Sequence, residues 1–185
     1  MKDVVIYLAQ CENTVDRPLS LACFQQALAL RLPGRRVLPQ RSCDQRGKPF
    51  LPQEPRQQFS VSHTGPWYAV AFALEEPLGL DIQAVRRGGQ EQGIMRRFFT
   101  PQERQQVQLH PDPTYAFTRL WSKKEAIVKQ AGLGIGGLRD CPALETKLCL
   151  TDLSPQLERL TGTRELVGFL ASTQPVEIRW QWMKK

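Results

Sequence analysis

Apolar and polar residues follow a strand period in some segments of the chain and a helical period in others, with turn residues between them. Val4 to Ala9 is an apolar run that predicts a buried strand. Residues 18–32 carry apolar side chains near helical spacing, which predicts a helix. Residues 59–63 alternate and lead through a Gly-Pro turn into the apolar run 67–74, which predicts a hairpin with His63 at its bend. Further strands are predicted at 79–84, 147–151, 165–172 and 176–182.

Three helices are predicted between these strands in the middle of the chain. Residues 94–99 form a short helix, and the next has Thr100 at its N-cap and Glu103 at N3, which is a capping box. The longest runs from about Thr114 to the glycines that begin at Gly132. Residues 35–58, rich in Arg, Gln and Pro, predict an irregular basic segment.

This order of elements predicts an α+β fold made of two similar α/β subdomains side by side. The break between them falls near Glu75-Glu76-Pro77, so the predicted halves are residues 1–77 and 78–185. Residue-by-residue comparison of the halves shows no repeat. The prediction therefore depends on the order of elements alone.

The longest helix has a core-facing stripe that a lysine interrupts. Lys124 projects from the middle of the stripe, and it must snorkel, pair with an anion or reach into a cleft, because burying an unpaired ammonium is costly. Glu125 and Lys129 are four residues apart and line the edge of the stripe, which alone is typical of an ordinary ion pair. The stripe covers an arc of roughly 120° and consists of Phe117, Leu120, Trp121, Ile127, Val128 and Ala131.

Composition and charge narrow the class of protein. The 185 residues are 41% hydrophobic and 23% charged, which is typical of a globular protein, and the net charge of +7 predicts an anionic partner. Nucleic acid, a phosphorylated cofactor and an acidic protein surface all satisfy that expectation. The five cysteines form no CxxC pair, which favours a reducing cytosol over a disulfide framework. No run approaches 18 apolar residues, so we expect a cytoplasmic protein with no membrane partner.

Three polar residues outside the longest helix are candidates for chemistry. Asp81 lies in the middle of a predicted strand, where propensity disfavours a carboxylate, and Gln83 shares its face. His63 follows Ser62 at a strand end and could offer donors to an anion. Lys48 lies in a turn that could equally be a plain solvent-exposed loop.

Five short blocks of the sequence occur in an order and at spacings that resemble a known family. They are GKPF at 47–50, FSVSHT at 59–64, GLDIQ at 79–83, FFTPQE at 98–103 and LWSKKEAIVK at 120–129. Together they resemble the signature blocks of the 4'-phosphopantetheinyl transferases. The resemblance is closest to the larger, surfactin-synthetase-activating class, whose single chain forms two pseudo-symmetric halves.

The resemblance implies an activity. The expected reaction moves the 4'-phosphopantetheine arm of coenzyme A to a serine of an acyl or peptidyl carrier protein, releases 3',5'-ADP and requires Mg²⁺. The active site is expected in the cleft between the two halves. A monomer that binds neither nucleic acid nor membrane is expected.

The resemblance also implies roles for individual residues by their position in the blocks. Asp81, Glu125 and Gln83 are expected to form the metal site, with Gln83 binding the ion directly or through one of its waters. Asp81, Glu125 and Lys129 are expected to act in catalysis. The residues expected to bind coenzyme A are Lys48, Ser62, His63, Lys124 and Lys129, the last two along its pyrophosphate.

One departure from the family pattern leaves a rival interpretation open. Family members commonly have a second acid at the position of Gln83, whose amide brings no charge. A non-catalytic relative that binds carrier protein is therefore an alternative to a transferase. A basic nucleic-acid-binding module is a second alternative, suggested by the net charge, but it leaves Asp81 and Glu125 unexplained.

Overall fold

The computed structural model describes residues 1–89 and 91–183, and these residues form a mixed α/β fold. The strands are β1 Lys2–Gln10, β2 Ser42–Cys43, β3 Pro49–Phe50, β4 Gln57–Thr64, β5 Trp67–Leu74, β6 Leu78–Ala84, β7 Cys149–Asp152, β8 Leu166–Ser172 and β9 Val176–Trp182. The helices are α1 Arg17–Arg31, α2 Glu91–Phe98, α3 Pro101–Leu109, α4 Pro113–Ala131 and α5 Ser154–Thr161, with a 3₁₀ turn at Ile135–Leu138. The sequence analysis missed α5 and the two-residue strands β2 and β3.

The strands form two main sheets. The first has the order β4-β5-β1-β9 and the second the order β6-β8-β7, while β2 and β3 pair separately. The predicted hairpin of β4 and β5 is confirmed, and its register pairs His63 with Tyr68. All strand pairs are antiparallel except that of β1 and β9.

Strand β9 crosses the predicted boundary between the halves. It pairs in parallel with β1, from Lys2 opposite Val176 to Leu8 opposite Trp182. The first sheet therefore contains residues from both predicted halves, and the division at residue 77 stays a prediction. Pairing covers the backbone groups that β1 would otherwise leave unpaired at a sheet edge. The arrangement as two similar subdomains stays a prediction.

Three apolar cores hold these layers together. The first lies between α1 and the first sheet and includes Phe24 and Phe72. The second lies between the two sheets and α5, with Leu80 and Ile82 from β6. The third lies beneath α4, with Phe117 packed near β8. Because Leu80 and Ile82 face the second core, the alternation of β6 turns its polar residues toward α4.

A row of hydroxyl groups joins β4 to β6. Alternate residues of β4 accept hydrogen bonds from alternate backbone amides of β6, at 2.9 Å for Ser60, 3.1 Å for Ser62 and 3.1 Å for Thr64. The donors are the amides of Leu80, Ile82 and Ala84. These side-chain bonds fix the edge of the first sheet against the edge of the second.

The connection between β5 and β6 is fixed to the turn between β8 and β9. The Glu76 carboxylate is 1% exposed and accepts hydrogen bonds from the Thr173 amide and hydroxyl, both at 2.6 Å, and from Gln174 Nε2 at 2.8 Å. Burial raises the pKa of Glu76, but the hydrogen bonds from Thr173 and Gln174 outweigh burial and hold the pKa below its ordinary value. The predicted break between the halves therefore contains a buried carboxylate that fixes this connection to the rest of the protein.

Candidate active site

A cavity of about 270 Å³ lies where the loop after β2, strand β4 and helix α4 meet. Its wall carries three basic side chains and one carboxylate, while the rest of the lining is mostly apolar. The residues that matter chemically are Arg46, Lys48, Glu125 and Lys129, with Phe59 and Val61 on the β4 side. The excess of positive charge suits an anionic ligand with an apolar part.

A glycine lets α4 lie directly on β6. A Cβ atom at Gly79 would lie 2.0 Å from the carbonyl oxygen of Ala126 and 2.3 Å from the amide nitrogen of Gln130. Both are backbone atoms that cannot move without shifting the helix. Only glycine permits this approach, and it is what brings Glu125 and Lys129 of α4 next to Asp81 of β6.

Asp81 is a buried carboxylate with three donors. Its residue is 1% exposed. Its Oδ1 accepts from Lys129 Nζ at 2.6 Å and from the Ser62 hydroxyl at 2.9 Å, and its Oδ2 accepts from Gln83 Nε2 at 3.1 Å. The Ser122 hydroxyl also donates to the Asp81 backbone carbonyl at 3.2 Å. These contacts supply the counter-ion and hydrogen bonds that a buried charge requires.

Glu125 lies at the cavity wall, on the other side of the same lysine. Its Oε2 is 3.9 Å from Lys129 Nζ. Burial raises the pKa of the Glu125 carboxyl, nearby Asp81 raises it further, and Lys129 opposes both effects. A raised pKa makes this carboxylate a stronger base than an exposed glutamate.

The two carboxylates fit a magnesium ion that is held jointly with a substrate. Mg²⁺ usually takes one or two protein carboxylates and completes its octahedral shell with water and phosphate oxygens. Asp81 Oδ1 and Glu125 Oε2 lie 2.6 and 3.9 Å from the same Lys129 Nζ, so the two carboxylates border one position that holds a positive charge. Across residues 1–89 and 91–183 no group of three or more His, Cys, Asp and Glu side chains could hold a metal. The protein alone therefore offers an incomplete metal site.

Gln83 contacts Asp81, as their shared strand face predicts. Its amide nitrogen donates to Asp81, so its oxygen is directed elsewhere. A glutamate at this position would put a second negative charge beside Asp81. The role of Gln83 as a metal ligand stays a prediction.

Lys48 lines the cavity from the loop between β2 and β3. Its Nζ donates to the Gln130 carbonyl oxygen at 2.7 Å. Burial lowers the pKa of Lys48, and nearby Asp44 opposes this. Asp44 also shapes the loop, because its carboxylate accepts from the amides of Arg46 at 2.9 Å and Lys48 at 2.8 Å. Arg46 lines the cavity too and was missed, although it directly precedes the GKPF block.

Ser62 and His63 differ from each other in exposure. The Ser62 residue is 5% exposed and its hydroxyl donates to Asp81, and its role in binding coenzyme A stays a prediction. His63 is exposed and lies on the same face of β4 as Phe59 and Val61, just beyond the cavity lining. Its role in binding coenzyme A stays a prediction.

Lys124 does not line the cavity, and its predicted contact with pyrophosphate stays a prediction. Its side chain is 0% exposed, and Nζ donates to Glu103 Oε1 at 3.2 Å, to Glu103 Oε2 at 3.0 Å and to the Cys141 carbonyl. The physical reason is that Glu103 of α3 provides the anion within the core. Of the three alternatives open to this lysine, pairing with an anion is the one observed.

Glu103 also explains why the FFTPQE block and the helix block occur together. Its carboxylate accepts from the Thr100 amide at 2.8 Å, which completes the predicted capping box, and from the Ala143 amide at 2.7 Å. Phe99 packs near the Lys124 ammonium, 5.7 Å from its ring centroid. One buried ion pair therefore fixes α3, α4 and the loop after α4 to one another.

A basic cavity beside two carboxylates that share a lysine is typical of enzymes that bind phosphate groups. A model of the 4'-phosphopantetheinyl transferase superfamily matches residues 77–169. The chain belongs to this superfamily, and the matched segment includes Asp81, Glu103, Glu125 and Lys129.

Individual relatives match about half of the chain. A 4'-phosphopantetheinyl transferase of Bacillus subtilis is 42% identical over 91 residues, which are 48% of this chain and 39% of the relative. The transferase Sfp of Bacillus subtilis strain 168 is 35% identical over 51% of this chain and 42% of the relative. The transferase AcpT of Escherichia coli K12 is 33% identical over 51% and 50%. These matches span half or less of each relative's length.

Within residues 1–89 and 91–183, no helix combines sufficient length with sufficient apolarity to cross a bilayer.

Proposed function

We propose that this chain transfers the 4'-phosphopantetheine arm of coenzyme A to a serine hydroxyl of an acyl or peptidyl carrier protein, releasing 3',5'-ADP. One observation carries the proposal. Asp81, Lys129 and Glu125 meet beside a basic cavity, within the segment that the superfamily model matches. A diphosphate that links an adenosine to a flexible amide arm is an anionic ligand with the properties this cavity suits.

The basic residues bind and orient the diphosphate in this proposal. Arg46, Lys48 and Lys129 line one cavity and supply three positive charges toward the phosphate oxygens. His63 extends the same face of β4 toward the 3'-phosphate. A magnesium ion held by Asp81 and Glu125 would neutralise charge on the diphosphate when bound, and Gln83 would lie beside it.

Glu125 is the proposed general base. The serine oxygen forms a bond to the phosphorus that carries the pantetheine arm, the bond to the bridging oxygen breaks, and the serine proton must leave. Glu125 faces the cavity, and its raised pKa suits it to take that proton. Lys129 stays near the bridging oxygen, where negative charge develops.

The protein as a whole is proposed to resemble the larger class of these enzymes, as a cytoplasmic monomer with two similar subdomains. The net charge of +7 supports an acidic carrier-protein surface as the partner, because opposite charges accelerate encounter. A non-catalytic relative that binds carrier protein is the second candidate, and one observation favours it: Gln83 stands where a third acid would complete the site.

The mass of an apo carrier protein tests the proposal. Incubated with this protein, coenzyme A and Mg²⁺, the carrier should gain the mass of one phosphopantetheine group. Glu125→Gln and Asp81→Asn should lose the gain, while Glu145→Gln, at an exposed position, should retain it. Carrier that is bound but never modified supports the non-catalytic alternative. Full activity of both site variants means that the residue assignment is wrong.

A further inference from the structure

The ammonium group of Lys129 lies between the two carboxylates proposed to bind metal. Nζ is 2.6 Å from Asp81 Oδ1 and 3.9 Å from Glu125 Oε2. It also donates to the Leu80 carbonyl at 3.2 Å and lies 3.3 Å from the Ser62 hydroxyl. A lysine has three N–H donors, and here they have acceptors on β4 and β6. Lys129 therefore already supplies the positive charge that this pair of carboxylates requires.

A divalent cation cannot bind Oδ1 of Asp81 unless one of the two donors to that oxygen moves. Oδ1 accepts from Lys129 and Ser62, and Oδ2 accepts from Gln83. The Ser62 hydroxyl is fixed by the Ile82 amide at 3.1 Å, as part of the row that joins the sheets. Lys129 differs, since its side chain is long, flexible and 30% exposed toward the cavity. It is the donor that can leave.

We propose that Lys129 is a built-in cation that occupies the metal site until the diphosphate of the substrate draws it away. This inference rests on the proposed function. Two cations cannot share Asp81 Oδ1 without strong repulsion, so metal and lysine compete for one oxygen. When the diphosphate enters the cavity, its oxygens become a better partner for the ammonium, and Asp81 becomes available to the metal.

The exchange makes metal and diphosphate bind cooperatively. Each ligand removes an obstacle to the other, and thermodynamic linkage requires the effect to be equal in both directions. Coupling of this kind typically changes affinity by about 5- to 150-fold. Gln83 makes metal binding depend more strongly on the diphosphate, because an amide adds no negative charge that would favour a divalent ion over the lysine.

Equilibrium binding of Mn²⁺ tests the inference without any measurement of activity. Free Mn²⁺ is followed by its electron paramagnetic resonance signal, with and without coenzyme A and with correction for the Mn²⁺–coenzyme A complex. Without coenzyme A, we expect Lys129→Gln to bind Mn²⁺ at least about tenfold more tightly than the wild type. Coenzyme A should tighten Mn²⁺ binding to both proteins, because its phosphate oxygens complete the metal shell, but by a smaller factor in Lys129→Gln than in the wild type. Lys147→Gln, the same charge change at an exposed residue, is the matched control and should behave as the wild type.

Equal Mn²⁺ affinity in wild type and Lys129→Gln, or undiminished coupling in the variant, would overturn the inference. If Lys129→Gln does not fold, the wild type gives the answer through the ¹⁵N resonance of the Lys129 ammonium, assigned by its absence from Lys129→Arg. That resonance should persist with Mg²⁺ alone and shift when coenzyme A is added. A shift with Mg²⁺ alone contradicts the exchange.

The carrier-protein assay separates failure of the inference from failure of the proposed function. Transfer of phosphopantetheine without metal–substrate coupling means that the function stands and the lysine exchange is wrong. Coupling without transfer to any carrier tested means that the lysine exchange stands and that the proposed function is wrong.

Discussion

Replacement of Lys124 distinguishes a structural lysine from one that binds substrate. In the structure Lys124 and Glu103 are both 0% exposed, and the ammonium has three acceptors, two on Glu103 and one on Cys141. Lys124→Met keeps the aliphatic stem and removes the charge. The Glu103 carboxylate then loses its counter-ion within the core, while its bonds from the Thr100 and Ala143 amides remain.

The expected effect is a large loss of stability. Breaking a buried ion pair by removing one partner typically costs about 3–5 kcal/mol. The two remaining backbone donors partly stabilise Glu103, so the lower value of about 3 kcal/mol applies. For a chain of this size each kcal/mol lowers the melting temperature by about 2–4 °C, which predicts a decrease of about 6–12 °C.

Thermal unfolding followed by circular dichroism measures this effect. Lys123→Met, on the neighbouring half-exposed residue of the same helix, should shift the melting temperature by far less. The double variant Glu103→Leu with Lys124→Met should recover only part of the loss, because apolar replacement of a buried pair is often close to neutral but the Thr100 and Ala143 amides lose their acceptor. The KM for coenzyme A should stay unchanged in Lys124→Met at temperatures where it is folded. An unchanged melting temperature of Lys124→Met together with a raised KM for coenzyme A would refute the structural role of Lys124 and support its predicted contact with pyrophosphate.

Three further predictions follow from single contacts. Gln83→Glu should lower the Mg²⁺ concentration for half-maximal rate and should melt earlier than the wild type in chelator, because it places a second carboxylate beside Asp81. Gly79→Ala should cost about 3 kcal/mol in urea denaturation, since its Cβ would overlap backbone atoms of α4. The Glu76 carboxyl has a pKa below its ordinary 4.5 when folded, so its stabilising contribution is complete above about pH 4.5 and is lost as pH falls through the lower value. The stability advantage of the wild type over Glu76→Gln should shrink accordingly.

Each of these predictions has a clear contradictory result. Superimposable Mg²⁺ titrations of wild type and Gln83→Glu would place residue 83 away from the ion. A loss below about 1 kcal/mol in Gly79→Ala would mean that α4 does not lie against β6 at that point. A stability difference for Glu76→Gln that is constant across the acid range would mean that its hydrogen bonds do not favour the charged carboxylate.

Local patterns in the sequence determined most elements and part of the site. Alternation predicted β4 and β6, and an apolar run predicted β5. The alternation of β6 put Asp81 and Gln83 on one face, where they are in contact. Helical spacing put Glu125 and Lys129 on one edge of α4, and the capping box at Thr100 is present as predicted. These features depend on backbone geometry over a few residues, which the sequence specifies directly.

Tertiary structure alone decided what depends on residues distant in the chain. The carboxylate that pairs with the buried Lys124 belongs to Glu103, 21 residues earlier in the chain. Helical periodicity therefore could not show whether this lysine faces the core or the cleft. Strand β9 joins the first sheet because β1 has an edge that β5 does not cover. The contact between Asp81 and Lys129 spans 48 residues and requires Gly79 to let two backbones meet. Side-chain roles of this kind follow from which surfaces pack together, and packing is a property of the whole fold.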